Sequence, residues 1–219
     1  MMSDWNDKKL DRVRREYDRY QLDEEKLPGD PLELFAAWMD DAVKSGNPDP
    51  TAMTLSTVND SGSPSSRVVL LKKIDQNKLI FFTNYHSRKA REIKNNSGVS
   101  AHFFWPELER QVKISGLAKP LEDAESDLYF SSRPFESKVA AWASPQSEEV
   151  SGREYLEDEY RKYLEKFEGS TDVPRPKHWG GLYITPERME FWQGGKYRLH
   201  DRIEYTLKNK KWSRVRLAP

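Results

Sequence analysis

Short segments with β-strand character, each bounded by a turn, follow one another through most of this 219-residue chain. Residues 52–58 lead into the turn-forming stretch 59–64, and residues 67–74 lead into another at 75–77. β-branched and aromatic residues between clusters of Asn, Asp, Gly and Pro are typical of antiparallel strands. Further predicted strands cover residues 79–83, 99–104, 111–118, 179–184, 188–192, 198–207 and 212–217. The pattern predicts a mainly β fold of the α+β class, a barrel with peripheral helices and not a doubly wound sheet.

Helices are predicted between these strands. Asp30 is an N-cap residue followed by Pro31 and Glu33, so a helix should begin there and end near residue 45. Ser87 is a second N-cap residue, and its helix should reach Ile93. Other predicted helices cover residues 8–20, 121–132, 137–142 and, after a capping box, 151–167. The charged residues 1–29 are predicted to form a mobile arm, and residues 30–219 a single domain.

Composition excludes several classes of function. Lys+Arg and Asp+Glu both number 36, so no global positive field would recruit nucleic acid or an anionic membrane. The chain has no cysteine, and its four histidines lack metal-ligand spacing, so we expect no metal site. No window approaches the length of an apolar membrane span, and we expect a cytoplasmic protein. Hydrophobic residues make up only 36%, which indicates loose segments or a core completed by a partner.

The segment from Trp192 to Arg202 carries three cationic or titratable side chains at two-residue spacing. In a strand, Arg198, His200 and Arg202 would point to one face. Two guanidinium groups and an imidazole resist burial in a plain core, so an anionic or electron-rich ligand over them is one interpretation, with Trp192 as an apolar wall. A solvated face of an edge strand is the alternative.

Two further pairs of cations are candidate ligand-binding groups. Arg67 and Lys72 enclose a four-residue apolar run and would lie on opposite faces of a regular strand unless a bulge realigns them. Arg88 and Lys89 open a predicted helix, where free backbone N–H groups and the positive end of the helix dipole favour an anion. The alternatives are a buried strand with cations reaching solvent at its ends, and ordinary surface charges.

Tyr129, Arg133 and Ser137 form a third set of candidate ligand-binding residues. Tyr129 and Arg133 are four residues apart and share a face at the end of a helix, and Pro134 directs Ser137 onto the next element. Two hydroxyls and a guanidinium suit a phosphate monoester, although an ordinary helix end has similar residues. Two phosphorylated ligands, one of them aromatic and redox-active, would satisfy all of these groups.

The motifs, taken in order, resemble those of the pyridoxine (pyridoxamine) 5′-phosphate oxidase family over almost the whole chain. They begin at residues 14–17 and continue with RVVLLK (67–72), FFTNYHSRK (81–89), LERQV (108–112), SRPFES (132–137), AWASPQS (141–147) and FWQGGKYRLHDR (191–202). Pro145 departs from the expected pattern in the sixth motif. The resemblance implies an FMN-binding split β-barrel, active as a homodimer with flavin in clefts between the subunits.

The resemblance also implies roles for individual residues. The implied FMN site comprises Arg67, Val68, Val69, Leu70, Leu71, Lys72, Phe82, Thr83, Arg88, Lys89, Gln111, Gln146, Ser147, Trp192 and Arg202. The implied substrate site comprises Lys72, Tyr129, Arg133 and Ser137 at the phosphate, Arg198 and His200 at the pyridine ring, and Arg14 and Tyr17 as a lid. Arg198 and His200 are the implied catalytic pair, and a positioning role for His200 is favoured over a general-base role.

The implied reaction is oxidation of pyridoxamine or pyridoxine 5′-phosphate at C4′ to pyridoxal 5′-phosphate. A hydride would pass to flavin N5, and O₂ would reoxidise the flavin with release of H₂O₂. Two alternatives remain at this point. One is a non-catalytic flavin-binding split barrel that serves as a reservoir or sensor. The other is a structural dimer whose cationic sites pair with its own acidic residues.

Overall fold

The computed structural model describes residues 15–170 and 172–219, which fall into two compact units. The smaller unit takes in residues up to 50 together with 104–112 and 189–219, and the larger unit takes in 51–103 and 113–188. Each unit is therefore assembled from separated stretches of chain. The predicted division into an arm of residues 1–29 and a domain of residues 30–219 stays a prediction.

The described elements are five α-helices and nine strands, and they follow the predicted order. The helices are α1 Pro31–Lys44, α2 Arg88–Asn95, α3 Asp123–Ser131, α4 Phe135–Ala143 and α5 Arg153–Phe167. The strands are β1 Ala52–Val58, β2 Pro64–Leu70, β3 Lys73–Asp75, β4 Lys78–Asn84, β5 Gly98–Trp105, β6 Arg110–Pro120, β7 Trp179–Gln193, β8 Asp201–Lys208 and β9 Lys211–Arg216. Short 3₁₀ turns cover Glu24–Lys26, Pro106–Leu108 and Lys196–Arg198.

The larger unit is built on an antiparallel sheet in the order β2-β1-β5-β6-β7-β4-β3. β1 pairs with β2 from Ala52 opposite Leu70 to Val58 opposite Pro64, and β4 pairs with β7 from Leu79 opposite Ile184 to Asn84 opposite Trp179. Alternate residues of these strands point into a core that contains Met53, Leu55, Leu79, Phe81, Phe103, Ile114 and Ile184. This sheet confirms the predicted α+β class.

The smaller unit packs α1 against strand residues. Asp30 caps α1 by accepting a hydrogen bond from the Leu32 amide at 2.9 Å, as the sequence predicts. Trp38 of α1 meets Phe191 edge to face at 5.3 Å between ring centroids, and Phe191 meets Tyr205 of β8 at 5.8 Å. β8 pairs with both β7 and β9. The buried aromatic rings give this unit its own core.

Several predicted boundaries are wrong. The strand predicted over residues 67–74 breaks after Leu70, and the two strands predicted over residues 179–192 are one strand, β7. The strand predicted from Arg198 begins only at Asp201. Residues 15–20 are not helical, and the rest of the helix predicted over 8–20 lies outside the described residues.

Two predicted helix N-caps differ from the structure. The capping box predicted at residue 151 does not form, because α5 begins after Gly152 without a side-chain cap. Ser87 precedes α2 but caps no amide with its side chain. None of the helices in the described stretches combines the length and apolar character that a membrane crossing requires.

Candidate functional site

A cleft of about 370 Å³ in the larger unit gathers half of the predicted ligand-binding residues. We call it the cationic cleft. Its lining residues are Arg67, Val68, Val69, Leu70, Lys72, Phe82, Thr83, Asn84, Lys89, Tyr129, Arg133, Gln146 and Trp179. All except Asn84 and Trp179 are predicted cofactor or substrate residues. Strand β2 ends at Leu70, and Lys72 lies in the irregular connection to β3. This interruption of the strand explains how Arg67 and Lys72, five residues apart, line the same cleft.

Arg67 is held by a buried carboxylate that the sequence analysis did not identify. Glu92 of α2 has a side chain that is 6% exposed, and it pairs with Arg67 at 3.4 Å and with Arg88 at 2.9 Å. Burial alone would raise the pKa of Glu92, but hydrogen bonds from Thr57, Ser65 and Arg88 lower it to about 2. One carboxylate therefore faces two guanidinium groups, and the set keeps a net positive charge.

Lys89 is a buried cation whose hydrogen-bond acceptors are all neutral. The residue is 8% exposed, and its ammonium group donates to Thr83 Oγ1 at 3.1 Å, Ser87 Oγ at 3.3 Å and Gln146 Oε1 at 2.8 Å. Burial first, and the charge of Arg67 second, lower the pKa of Lys89 to about 8. An anion beside this ammonium would relieve both effects.

Arg133 is a half-buried cation of the same cleft. Its Nη1 atom is buried and, among the described residues, has no hydrogen-bond partner. Burial lowers the pKa of Arg133, and the partial charge of Tyr129 opposes that shift. A buried guanidinium nitrogen without an acceptor is costly unless a ligand supplies one. The donor set of this end of the cleft therefore fits an anion such as a phosphate monoester.

A second group of predicted residues lies in the smaller unit. The Tyr17 ring meets Trp192 edge to face at 5.6 Å and His200 at 5.7 Å between centroids, and Trp192 lies 4.7 Å from His200. We call these three residues the aromatic corner. Gly194 is required here, since a Cβ on it would lie 2.7 Å from the Cβ of Tyr17.

The chain at residues 195–200 turns where a strand was predicted. Tyr197 and Arg198 have left-handed φ values of 58° and 64°, and the Leu199 amide donates to the Lys196 carbonyl at 3.0 Å. Gly195 donates its N–H to His200 Nδ1 at 3.1 Å. Arg198, His200 and Arg202 therefore do not share a strand face, and that prediction is wrong. The turn leaves Arg198 exposed and brings His200 back against Trp192.

The Gly195 hydrogen bond defines the chemistry of His200. A neutral imidazole that accepts at Nδ1 carries its proton on Nε2. Burial first, and Arg198 second, lower the pKa of His200 below its ordinary 6.5, with Asp201 opposing. His200 is thus neutral at neutral pH and presents an N–H donor at Nε2.

The remaining predicted residues lie outside both groups. Arg88 pairs with Glu92, Leu71 is buried, Ser137 lies on α4, and Ser147 is exposed with φ 72°. Gln111 lies on β6 in the smaller unit, where Arg202 binds Glu190 at 2.9 Å and the Ala218 carbonyl at 2.7 Å. Arg14 lies outside the described residues. The proline at 145 does not remove Gln146, which still reaches Lys89.

Sequence reasoning missed Glu92, Trp179 and Glu109, the last of which is 2% exposed in the smaller unit. Glu92 follows Arg88 by four residues on a helix, and that spacing could have identified it.

The sequence analysis also missed a larger cavity of about 550 Å³ in the larger unit. This cavity is mainly apolar, and its lining includes Ala90, Ile93, Leu121 and Leu182. No group of three His, Asp or Glu side chains in the described stretches could hold a metal ion.

Comparison with known proteins supports the motif-based interpretation. Residues 39–167 match the family model described as pyridoxamine 5′-phosphate oxidase, and residues 179–219 match the pyridoxine 5′-phosphate oxidase C-terminal dimerisation region. The pyridoxine/pyridoxamine 5′-phosphate oxidase of Shewanella sediminis is 50% identical over 212 residues, covering 96% of this chain and 99% of that one. Its counterpart in Shewanella pealeana is 47% identical over 94% of this chain and 97% of its own length.

Solved structures agree on the fold. PhzG from Burkholderia lata, solved with tetrahydrophenazine-1-carboxylic acid, matches with a TM-score of 0.87 and 32% identity, covering 94% of this chain and all of that one. An FMN-binding protein from Nostoc punctiforme related to pyridoxamine 5′-phosphate oxidase matches with a TM-score of 0.70 at 16% identity, which bears on the fold alone. The fold is a split β-barrel with peripheral helices, and the chain belongs to the pyridoxamine 5′-phosphate oxidase family.

Proposed function

We propose that this protein is an FMN-dependent oxidase that converts pyridoxamine 5′-phosphate or pyridoxine 5′-phosphate to pyridoxal 5′-phosphate. The observation that carries the proposal is the presence of two separate cations in one cleft, the buried Lys89 and the half-buried Arg133. Among the described residues neither has a carboxylate partner, unlike Arg67 and Arg88, which share Glu92. Two such cations suit two phosphate monoesters, one from the cofactor and one from the substrate.

The cofactor phosphate would bind at Lys89, Arg67 and Arg88. Lys89 supplies an ammonium group whose present acceptors are all neutral, and Glu92 holds the two guanidinium groups in place without cancelling their combined charge. The chain from Arg67 to Lys72, Phe82 and Thr83 would line the flavin, with Gln146 beside Lys89. Bound FMN would supply the redox chemistry, accepting a hydride from C4′ at N5 and passing the electrons to O₂ to give H₂O₂.

The substrate phosphate would bind at Arg133, with Tyr129, Lys72 and Ser137 as further donors. Arg133 offers a nitrogen that no described residue satisfies, and Tyr129 and Lys72 line the same cleft. A charge-assisted hydrogen bond from a guanidinium contributes about 1.5–3 kcal/mol, so phosphorylated substrates should be strongly preferred. This preference separates the proposed activity from oxidation of unphosphorylated amines.

His200 and Arg198 would position the substrate ring, with Tyr17 as part of a lid. The Nε2–H of His200 is a donor, because Nδ1 accepts from Gly195. In this state His200 cannot remove a proton through Nδ1, which favours positioning over general-base catalysis. Arg198 is exposed on its turn, and its guanidinium would position the C4′ substituent of the substrate.

A homodimer would complete the site. The C-terminal residues 179–219 match a dimerisation region, and β2 presents Val68 at 66% exposure and Leu70 at 38% exposure on the rim of the cationic cleft. Exposed apolar residues beside a ligand site are typical of an interface. A second copy covering β2 would bury both residues and close the cleft.

Two rival functions differ in testable ways. PhzG was solved with tetrahydrophenazine-1-carboxylic acid, which carries no phosphate, so a shared activity would leave Arg133 without its proposed partner. A flavin reservoir would bind FMN and turn over no substrate. The higher identity to named pyridoxine/pyridoxamine 5′-phosphate oxidases favours the oxidase over both.

The test is an aerobic assay of the purified, FMN-loaded protein. Pyridoxamine 5′-phosphate should yield equal amounts of pyridoxal 5′-phosphate and H₂O₂, and unphosphorylated pyridoxamine should react at least about tenfold less efficiently. A yellow protein that forms neither product would support the reservoir. A protein that binds no flavin would refute every flavin-dependent function.

A further inference from the structure

Trp179, the first residue of β7, is stacked into the wall of the cationic cleft. The residue is 7% exposed, and its ring lies parallel to Phe82 within 8° at 5.4 Å between centroids. Phe82 in turn stacks on Tyr129 at 3.7 Å and 7°. Three aromatic planes from β4, α3 and β7 are therefore aligned, and rotation of any one ring is opposed by its neighbours.

Arg133 lies on the face of this stack. Its guanidinium carbon is 4.5 Å from the centre of the Trp179 ring and 5.4 Å from that of Phe130. The attraction between a cation and an aromatic face holds a guanidinium without using its in-plane N–H groups. Those N–H groups stay available for an anion, in agreement with the unpartnered, buried Nη1.

Arg175 fixes Trp179 from the side of the backbone. The guanidinium of Arg175 donates to the Trp179 carbonyl at 2.6 Å and pairs with Asp123 at 2.6 Å and Asp127 at 2.5 Å. The side chain of Arg175 is 10% exposed, whereas those of Asp123 and Asp127 are 85% and 60% exposed, so the bond to the Trp179 carbonyl is the better shielded contact. Because Asp123 and Asp127 belong to α3, the helix that carries Tyr129, Arg175 ties the start of β7 to the helix that leads into Arg133.

We propose that Trp179, anchored by Arg175, is the positioning residue for the substrate phosphate. It keeps the guanidinium of Arg133 face-on to an aromatic plane, so that the edge of the guanidinium meets the phosphate oxygens. This inference rests on the proposed oxidase function and deepens it. The selectivity for phosphorylated substrates would then depend on the Trp179 ring and on the Arg175 ion cluster, both of which act through Arg133 and not by binding the phosphate.

The first test compares FMN-loaded Trp179→Leu, Trp179→Phe and Arg175→Gln with the parent enzyme. Trp179→Leu should raise KM for pyridoxamine 5′-phosphate about 3- to 30-fold while kcat changes less than about twofold, and KM for unphosphorylated pyridoxamine should not change. Trp179→Phe should restore most of the loss because it keeps an aromatic face. Arg175→Gln should produce a smaller rise in KM. Trp142→Leu removes a tryptophan outside the cleft and is the matched control.

A double-mutant cycle tests whether Trp179 acts through Arg133. In an Arg133→Ala background, Trp179→Leu should have no further effect on KM for the phosphorylated substrate. Equilibrium dialysis of the product pyridoxal 5′-phosphate against the FMN-loaded variants should give the same pattern in Kd without turnover. Additive effects of the two substitutions, or equal KM changes for both substrates, would overturn the inference. A parent enzyme that oxidises neither substrate would refute the proposed function instead.

Discussion

At the scale of single residues, the cationic cleft depends on how each buried charge is balanced. Glu92 stays ionised because three side chains donate to it, and it satisfies Arg67 and Arg88 together. In the described part of the chain, Lys89 and Arg133 contact neutral groups and ring faces in place of a carboxylate. Poorly solvated cations of this kind make the protein less stable without an anion than with one, so ligand binding and stability are linked.

Lys89 should make FMN binding dependent on pH. Its pKa is about 8 without ligand, and a bound phosphate dianion would raise that pKa, so binding takes up a proton above pH 8. Affinity for FMN should therefore fall up to about tenfold per unit as pH rises above about 8. Fluorescence titration of the apoprotein with FMN measures this slope.

Lys89→Met should weaken FMN binding and abolish the slope, because no group at that position can then gain a proton. Lys94→Met, which removes a lysine outside the cleft, should keep the slope. The stability of the apoprotein should change with pH in the opposite direction to its affinity for FMN. The pKa of Lys89 in the folded protein lies below its unfolded value of 10.5, so the free energy of unfolding should rise between about pH 8 and 10.5. An unchanged slope in Lys89→Met would remove Lys89 from the cofactor site.

His200 should tolerate replacement by asparagine better than by leucine. Asparagine keeps an acceptor for the Gly195 amide, whereas leucine leaves that donor without one. We expect kcat/KM of His200→Leu to fall about tenfold further than that of His200→Asn. Steady-state assays at neutral pH compare the two variants, and equal losses would instead indicate that the imidazole acts as a base.

At the scale of elements, a buried carboxylate joins three separated stretches of the smaller unit. Glu109 accepts from Arg15 at 3.0 Å and from the amides of Asp18 and Arg19 at 3.0 and 3.3 Å. Its carbonyl accepts from Gly194 at 2.8 Å. These bonds hold the segment that carries Tyr17 against the strand end that carries Trp192, so Glu109 fixes the described part of the predicted lid.

Glu109→Gln should release this segment. The substitution removes the charge that strengthens the bonds from Arg15, Asp18 and Arg19, so cleavage by trypsin after Arg15 and Arg19 should speed up about fivefold or more. Limited proteolysis of the FMN-loaded protein, followed by mass spectrometry, measures the rate. Glu107→Gln changes a neighbouring acid that binds Asn47 at 3.1 Å and should not alter it. Equal rates in both variants would contradict the role of Glu109.

Periodicity and turn residues predicted most elements of the fold, and the exceptions have physical causes. Pro186 lies within β7, which runs without interruption from Trp179 to Gln193. The turn at residues 196–198 was not predictable from propensity, since Tyr197 and Arg198 adopt left-handed φ without being glycine. The cationic cleft was largely predictable from its motifs. Trp179 and Glu92 were not recognised, because they contact other side chains of the cleft and belong to none of the ligand-binding motifs.

At the scale of the whole molecule, the match to a dimerisation region and the exposed apolar residues of β2 both indicate assembly into a homodimer. Val68 and Leu70 line the cationic cleft as well as facing outward. The proposed cofactor site and the proposed interface therefore share residues, and the cofactor should bind the dimer better than the monomer.

Val68→Asp should produce a folded monomer that binds FMN weakly. Residue 68 is 66% exposed in the single chain, so aspartate is tolerated there, but it would be buried and unpaired in the dimer. Analytical ultracentrifugation measures the assembly state, and flavin fluorescence measures the retained cofactor. Leu128→Asp, at a position that is 74% exposed on α3, is the control and should remain dimeric. A dimeric Val68→Asp variant with normal flavin content would place the interface elsewhere.

The most direct test of the central claim, that two phosphate monoesters bind in one cleft with their rings in reach of each other, is an anaerobic mixing experiment. The visible flavin absorbance of the FMN-loaded protein is recorded before and after addition of pyridoxamine 5′-phosphate, and separately with pyridoxamine. The account predicts bleaching by the phosphorylated amine at concentrations where pyridoxamine has little effect, and loss of that difference in Arg133→Ala. An unchanged flavin spectrum, or equal bleaching by both amines, would contradict it.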